Sequence, residues 1–213
     1  MTYLFLANGF EEIEALCPLD LLRRAGVQVT TVGVGGGEWI TGAHGIEIRP
    51  DIPDTMYRDA KPEMVILPGG MPGAKNLDES ATVKQALRAA DRNGGYLAAI
   101  CAAPMVLGHG GYLRGKTAVC FPGFESELTG ATVGNTRVAR DGRVVTAIGM
   151  GAALEFGLEL VACLCGEEKA RELAGTVLAK EGYDGRNSQQ EKTAGCLPLC
   201  ARQTAARREK GAG

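Results

Sequence analysis

Cys101 stands where nucleophilic chemistry is possible. It lies in Ile100-Cys101-Ala102-Ala103-Pro104, between an apolar run, Tyr96-Leu97-Ala98-Ala99-Ile100, and a small-residue helix start. A strand-to-helix elbow lifts one side chain above the sheet edge, with unpaired N–H groups of the next helix beneath it. The competing reading is an inert core thiol, since free cysteines are among the most buried residue types. Three other segments bear on the choice. Asn8-Gly9-Phe10-Glu11-Glu12-Ile13-Glu14 ends in carboxylates at a helix start, where acidic residues ordinarily cap. Glu14 differs from its neighbours because Ile13, Leu16 and Cys17 surround it, so a helical turn could direct it inward. Leu67-Pro68-Gly69-Gly70-Met71-Pro72-Gly73-Ala74 opens an apolar strand into glycines, which let backbone N–H groups converge on an anion or simply make a turn. Ala147-Ile148-Gly149-Met150-Gly151 is again a strand followed by glycines, suited to a pocket wall.

The elements that must position these groups alternate in type. Strands are predicted over 2–7, 27–34, 64–67 and 96–100, with helices over 14–25 and 80–93 between them. Near-continuous apolar strands such as Met64-Val65-Ile66-Leu67 belong to a parallel sheet covered on both faces. Further on come a helix to about 108, a strand over 117–120, a hairpin over 135–147 turning at Asp141-Gly142, and helices over 151–165 and 167–180. The expected fold is therefore α/β, a doubly wound parallel sheet with helices on both faces. Each of the four segments then follows a strand at the same C-terminal edge, where such sheets bind ligands.

Composition narrows the function. The chain has 213 residues, 45% of them apolar and 5% aromatic, enough for one core in one domain. Its formal net charge of −2 offers no basic field for nucleic acid or an anionic membrane, and small, weakly charged substrates are expected instead. The N-terminal apolar run meets Glu11 and Glu12 too early for a signal peptide or membrane span, so a cytoplasmic location is expected. Seven cysteines, an odd number scattered through apolar segments, suit reduced thiols. The folded unit is expected over 1–183, followed by a disordered basic tail over 184–213 that carries Cys196 and Cys200, to which no function is assigned.

Two apparent cofactor motifs do not hold. Residues 110–117 match the phosphate-loop pattern letter for letter, but a helix precedes them and a strand follows, the reverse of what a phosphate site needs. Gly33-Val34-Gly35-Gly36-Gly37 lacks the helix of a dinucleotide fingerprint. His44 and His109, the only histidines, have no neighbours at metal-ligand spacing. No cofactor and no metal are expected.

Taken together, residues 8–14, Leu67-Pro68-Gly69-Gly70 and 99–104, with Pro18-Leu19-Asp20-Leu21-Leu22-Arg23-Arg24-Ala25-Gly26, resemble the ThiJ/PfpI superfamily, in its parkinsonism-associated deglycase (DJ-one) branch. The resemblance covers residues 1 to about 183. It implies a flavodoxin-like sandwich of the class I glutamine amidotransferase type, usually a homodimer. It also implies Cys101 as an oxidisable nucleophile, Glu14 as the carboxyl group beside it, and the amides of Gly70 and Ala102 as oxyanion donors. The chain departs from the pattern at Phe121-Pro122, where many glyoxalase-active members carry a histidine before the proline. Catalysis would then rest on the thiol and Glu14, with peptidase or amidase chemistry disfavoured.

Such a pair has an energetic requirement. Lowering a thiol pKa from about 8.5 by about two units takes about 2.7 kcal/mol of preferential anion stabilisation. A helix N-terminus supplies about 0.3 to 1 kcal/mol, at most about 2. An ionised Glu14 would repel the thiolate, whereas a protonated one, kept neutral by apolar surroundings, would donate a hydrogen bond to it. Three functions fit: a cofactor-independent glyoxalase III or deglycase acting on a small carbonyl compound, an oxidative-stress sensor or redox-regulated chaperone using the same cysteine, and, last, an amidase or peptidase.

Overall fold

Successive side chains of a strand point to opposite sides of its sheet, so a strand apolar at every position demands cover on both. β1 (Thr2–Ala7) is buried at all six positions. It is followed by α1 (Glu12–Arg24), β2 (Val29–Val34), and the short strands β3 (Ile40–Thr41), β4 (Glu47–Ile48) and β5 (Ile52–Pro53). Then come β6 (Met64–Leu67), α2 (Gly73–Glu79), α3 (Ala81–Arg92), β7 (Tyr96–Ile100), α4 (Pro104–His109), β8 (Thr117–Ala118) and β9 (Thr132–Val133). β10 (Val138–Asp141), β11 (Val144–Ala147), α5 (Ala153–Cys165) and α6 (Glu167–Thr176) complete the set in this computed structural model, which describes residues 1–179.

Seven strands form one sheet in the order β10-β11-β7-β6-β1-β2-β5, parallel throughout except for β10. Two apolar cores fill its two faces. Leu4, Leu6, Ile66 and Ile100 pack under α1, α5 and α6 against Leu22, Phe156 and Leu173. Phe5, Val65, Leu67 and Leu97 pack under α2, α3 and α4 against Leu77, Leu87 and Leu107. From β1 the chain winds one way to β2 and the other way through β6, β7 and β11, so the crevice of the doubly wound fold opens between β1 and β6.

The expected α/β architecture and the hairpin are present, with Gly142 in the left-handed region at the turn between β10 and β11. Several boundaries differ. β2 starts two residues late and α1 two residues early, and α6 stops at Thr176. The strand expected over 117–120 narrows to β8, which pairs with β9 outside the main sheet. Gly73 and Ala74, read as the end of a glycine segment, instead begin α2, which runs on to Glu79. β3, β4, β5 and β9 escaped the sequence because two residues carry no measurable periodicity. The expected domain end at 183 and the tail with Cys196 and Cys200 lie outside the described residues. No described helix is long and apolar enough to cross a membrane.

Candidate active site

The loops that follow β1, β6, β7 and β11 meet at one edge and are tied together by backbone hydrogen bonds. Glu11 N–H donates to Gly69 O at 3.0 Å and Gly73 N–H to Gly9 O at 3.2 Å, joining the first two. Cys101 N–H donates to Ala147 O at 2.9 Å, joining the elbow to β11, and Phe121 N–H donates to Cys101 O at 2.8 Å. A side chain on Gly9 would meet Pro72 Cδ at 2.5 Å, so this close approach needs a glycine.

Cys101 sits at φ 65°, one of two non-glycine residues among those described with positive φ. Such a conformation costs a β-carbon-bearing residue about 1–3 kcal/mol and persists where the surroundings enforce it, most often at functional sites. The main-chain bonds on either side supply the enforcement. The following helix, α4, starts only at Pro104 and has six residues, shorter and later than the sequence suggested, so its dipole is a weak resource for the sulfur.

Glu14 is 1% exposed, and the competing cap role belongs to its neighbour. Glu11 Oε2 accepts the Glu14 N–H at 2.7 Å and caps α1, which leaves the Glu14 side chain free to turn inward. There its Oε2 accepts Gly69 N–H at 3.0 Å. A β-carbon on Gly69 would lie 2.5 Å from both Cys101 Cβ and Glu14 Oε2, so thiol and carboxyl close over this glycine. The Cys101 sulfur is bonded to the Glu14 carboxyl and to the backbone N–H groups of Gly70 and Ala102. All four residues singled out from the sequence are thus brought to one point.

In the sequence Met150 figures only in a pocket wall, and Phe121 only as the residue where many glyoxalase-active members carry a histidine. Met150 N–H donates to the Glu14 carboxyl, so the loop after β11 does more than form a wall. Phe121 covers Gly149: a β-carbon there would lie 3.2 Å from Phe121 Cδ2 and 3.8 Å from Glu14 Oε1. The glycine spacing could have suggested the Met150 amide; nothing local places the Phe121 ring over Gly149. Both histidines are engaged elsewhere. His44 Nδ1 lies 2.8 Å from Glu12 Oε2, while His109 lies between Asp78 and Glu127 at 3.0 and 2.8 Å. The candidate phosphate motif runs from the end of α4 into β8, helix first and strand second.

Burial dominates the electrostatics of the pair. It pushes the Glu14 carboxyl up to about 7, against hydrogen bonds from Cys101, Gly69 and Met150 that favour the ion, while the charge of Glu11 adds to the rise. Burial likewise pushes the Cys101 thiol up to about 12, helped by the charge of Glu14 and by its hydrogen bond, and opposed by the amides of Gly70 and Ala102. The two protons are coupled. While Glu14 is ionised its charge holds the thiol protonated; once Glu14 is protonated that repulsion is gone. The pair therefore carries one charge just above neutrality, and the groups around it offer two amides to either bearer.

A parallel α/β sheet with a cysteine at a strained strand-to-helix elbow, amides beside its sulfur and a buried carboxyl next to it, defines a class of flavodoxin-like α/β proteins. The DJ-1/PfpI family model matches residues 2–163, and the chain belongs to that family. It is 39% identical to protein dj-1beta of Drosophila melanogaster over 171 residues, which is 79% of this chain and 91% of the relative. The glutathione-independent glyoxalase DJR-1.2 of Caenorhabditis elegans is 34% identical over 166 residues, 76% of this chain and 87% of that one. Among solved structures, oxidized Toxoplasma gondii DJ-1 superposes with a TM-score of 0.80 at 33% identity, covering 83% of this chain and 97% of that chain.

Proposed function

We propose that this protein is a cofactor-independent glyoxalase acting on a small 2-oxoaldehyde such as methylglyoxal through Cys101. The observation that carries the reading is the closure of the Cys101 thiol and the buried Glu14 carboxyl over Gly69. The similarity to a glutathione-independent glyoxalase supports it. In this account the reactive form is the one in which the Cys101 proton has passed to the Glu14 carboxylate, against the pair's resting preference for a protonated thiol. The sulfur adds to the aldehyde carbon to form a hemithioacetal, whose oxygen takes the Glu14 proton. The freed carboxylate removes the proton from that carbon to give an enediol and returns it to the neighbouring ketone-derived carbon. The resulting thioester has one carbon oxidised and the other reduced by two electrons. Water cleaves it, releasing lactate and restoring the thiol. In the same account the amides of Gly70 and Ala102 donate to the oxyanions of these steps. Release of the same adduct from glycated amines would make the protein a deglycase as well. The protein would work in the cytoplasm as a homodimer: Ile13 on α1 and Leu154 on α5 leave apolar surface exposed where these two helices pack together.

The test is lactate formation from methylglyoxal without glutathione, against a Cys101→Ser control, on a preparation whose light-scattering mass is twice the 22.3 kDa chain. Turnover above the control supports the reading; turnover equal to it removes the catalytic claim, and a monomeric mass removes the dimer. The second reading, a redox sensor or chaperone, is favoured by the strong similarity to a structure of an oxidized relative. Under mild peroxide it expects intact mass to rise by two oxygens in a Cys101-dependent way, as a sulfinic acid does. Oxidation spread over other cysteines contradicts it.

A further inference from the structure

The rim of the site is apolar where the chemistry beneath it is polar. Phe121 is 47% exposed, and its ring and the Glu14 carboxyl both border the bare face of Gly149, where a β-carbon would lie 3.2 Å from Phe121 Cδ2 and 3.8 Å from Glu14 Oε1. Its position is set by the main chain, because Phe121 N–H is bonded to Cys101 O. The other loops repeat the arrangement. Met71 directly follows Gly70, whose amide serves the sulfur, and is 49% exposed. Met150, whose own amide serves Glu14, is 53% exposed. Three exposed apolar side chains thus belong to the loops whose main chain serves the thiol and the carboxyl. A planar aromatic group on the carbonyl carbon next to the aldehyde offers these side chains more apolar surface to cover than a methyl group does. Aromatic rings and methionine sulfur both favour such a partner beyond the area buried.

Resting on the glyoxalase reading, we propose that Phe121 is a specificity-determining residue that selects 2-oxoaldehydes carrying an aromatic substituent, of the phenylglyoxal type, over methylglyoxal. The chemistry is unchanged: the aldehyde carbon is oxidised, the aryl-bearing carbon is reduced, one water is consumed, and the product is an aryl 2-hydroxy acid. A rim of this kind discriminates by apolar contact, for which tenfold or more in kcat/KM is the ordinary scale.

The experiment compares kcat/KM for phenylglyoxal and methylglyoxal, corrected for a Cys101→Ser control, in the native protein, in Phe121→Ala and in Phe121→Leu, which keeps bulk without a ring. The expected ratio is at least tenfold in favour of phenylglyoxal, falling to within about threefold in Phe121→Ala and to an intermediate value in Phe121→Leu. Equal use of both substrates, or a ratio indifferent to residue 121, overturns the proposal and leaves the glyoxalase reading intact. A parallel binding measurement follows protection of Cys101 from iodoacetamide by mandelate and by lactate. If neither aldehyde is turned over, the glyoxalase reading fails and this measurement decides. At least tenfold tighter protection by mandelate, lost in Phe121→Ala, upholds the aromatic selection; equal protection overturns it.

Discussion

Glu14 shows how one carboxyl is assigned a role by its surroundings. Three acidic residues crowd the start of α1, yet Glu11 caps, Glu12 holds His44, and Glu14 alone is buried against a thiol. Its folded-state pKa, about 7, lies above the ordinary value of 4.5, so burial favours the protonated form. The stability this form contributes is complete below about pH 4.5 and is lost as pH rises through about 7. Glu14→Gln removes the titration. We expect the variant to gain on the native protein by about 3 kcal/mol between pH 4.5 and 8, read from denaturant unfolding at each pH. A difference that stays constant with pH contradicts the assignment. The sequence made Glu14 a candidate through its apolar neighbours, but the cap that frees it and the Met150 amide that holds it depend on contacts across the fold.

At the scale of elements, α1 is the support that aims Glu14, and it rests on α5 more than on the sheet. Gly157 makes that contact close: a β-carbon there would lie 2.6 Å from Leu21 Cδ1 and 3.0 Å from Pro18 Cα. Gly157→Ala gains about 1 kcal/mol of helix propensity but forces backbone against backbone, and overpacking of this kind typically costs about 1–3 kcal/mol. The expected net result is destabilisation, together with a slower reaction of Cys101 with iodoacetamide as α1 is displaced. A stabilised variant with unchanged reactivity would show that α1 yields freely. The long elements were legible because their apolar periods run for several turns or residues. α2 was not, since its seven residues follow two glycines and two prolines within five positions and carry only the side chains of Ala74 and Leu77 inward.

At the scale of the whole molecule, the doubly wound sheet explains why residues 14, 70, 101 and 150 meet although they are far apart in sequence. Parallel strands deliver their C-terminal loops to one edge, and the reversal of winding between β1 and β6 opens the crevice there. This much follows from strand order, and strand order from alternating apolar runs. What the order does not convey is the state of the proton shared by Cys101 and Glu14, on which the proposed chemistry depends. The rate of Cys101 alkylation against pH, in the native protein and in Glu14→Leu, measures it most directly. If a protonated Glu14 stabilises the thiolate, the midpoint of the profile moves to higher pH in Glu14→Leu. A midpoint that stays where it was, or moves to lower pH because an ionised Glu14 had been repelling the sulfur's charge, contradicts the account.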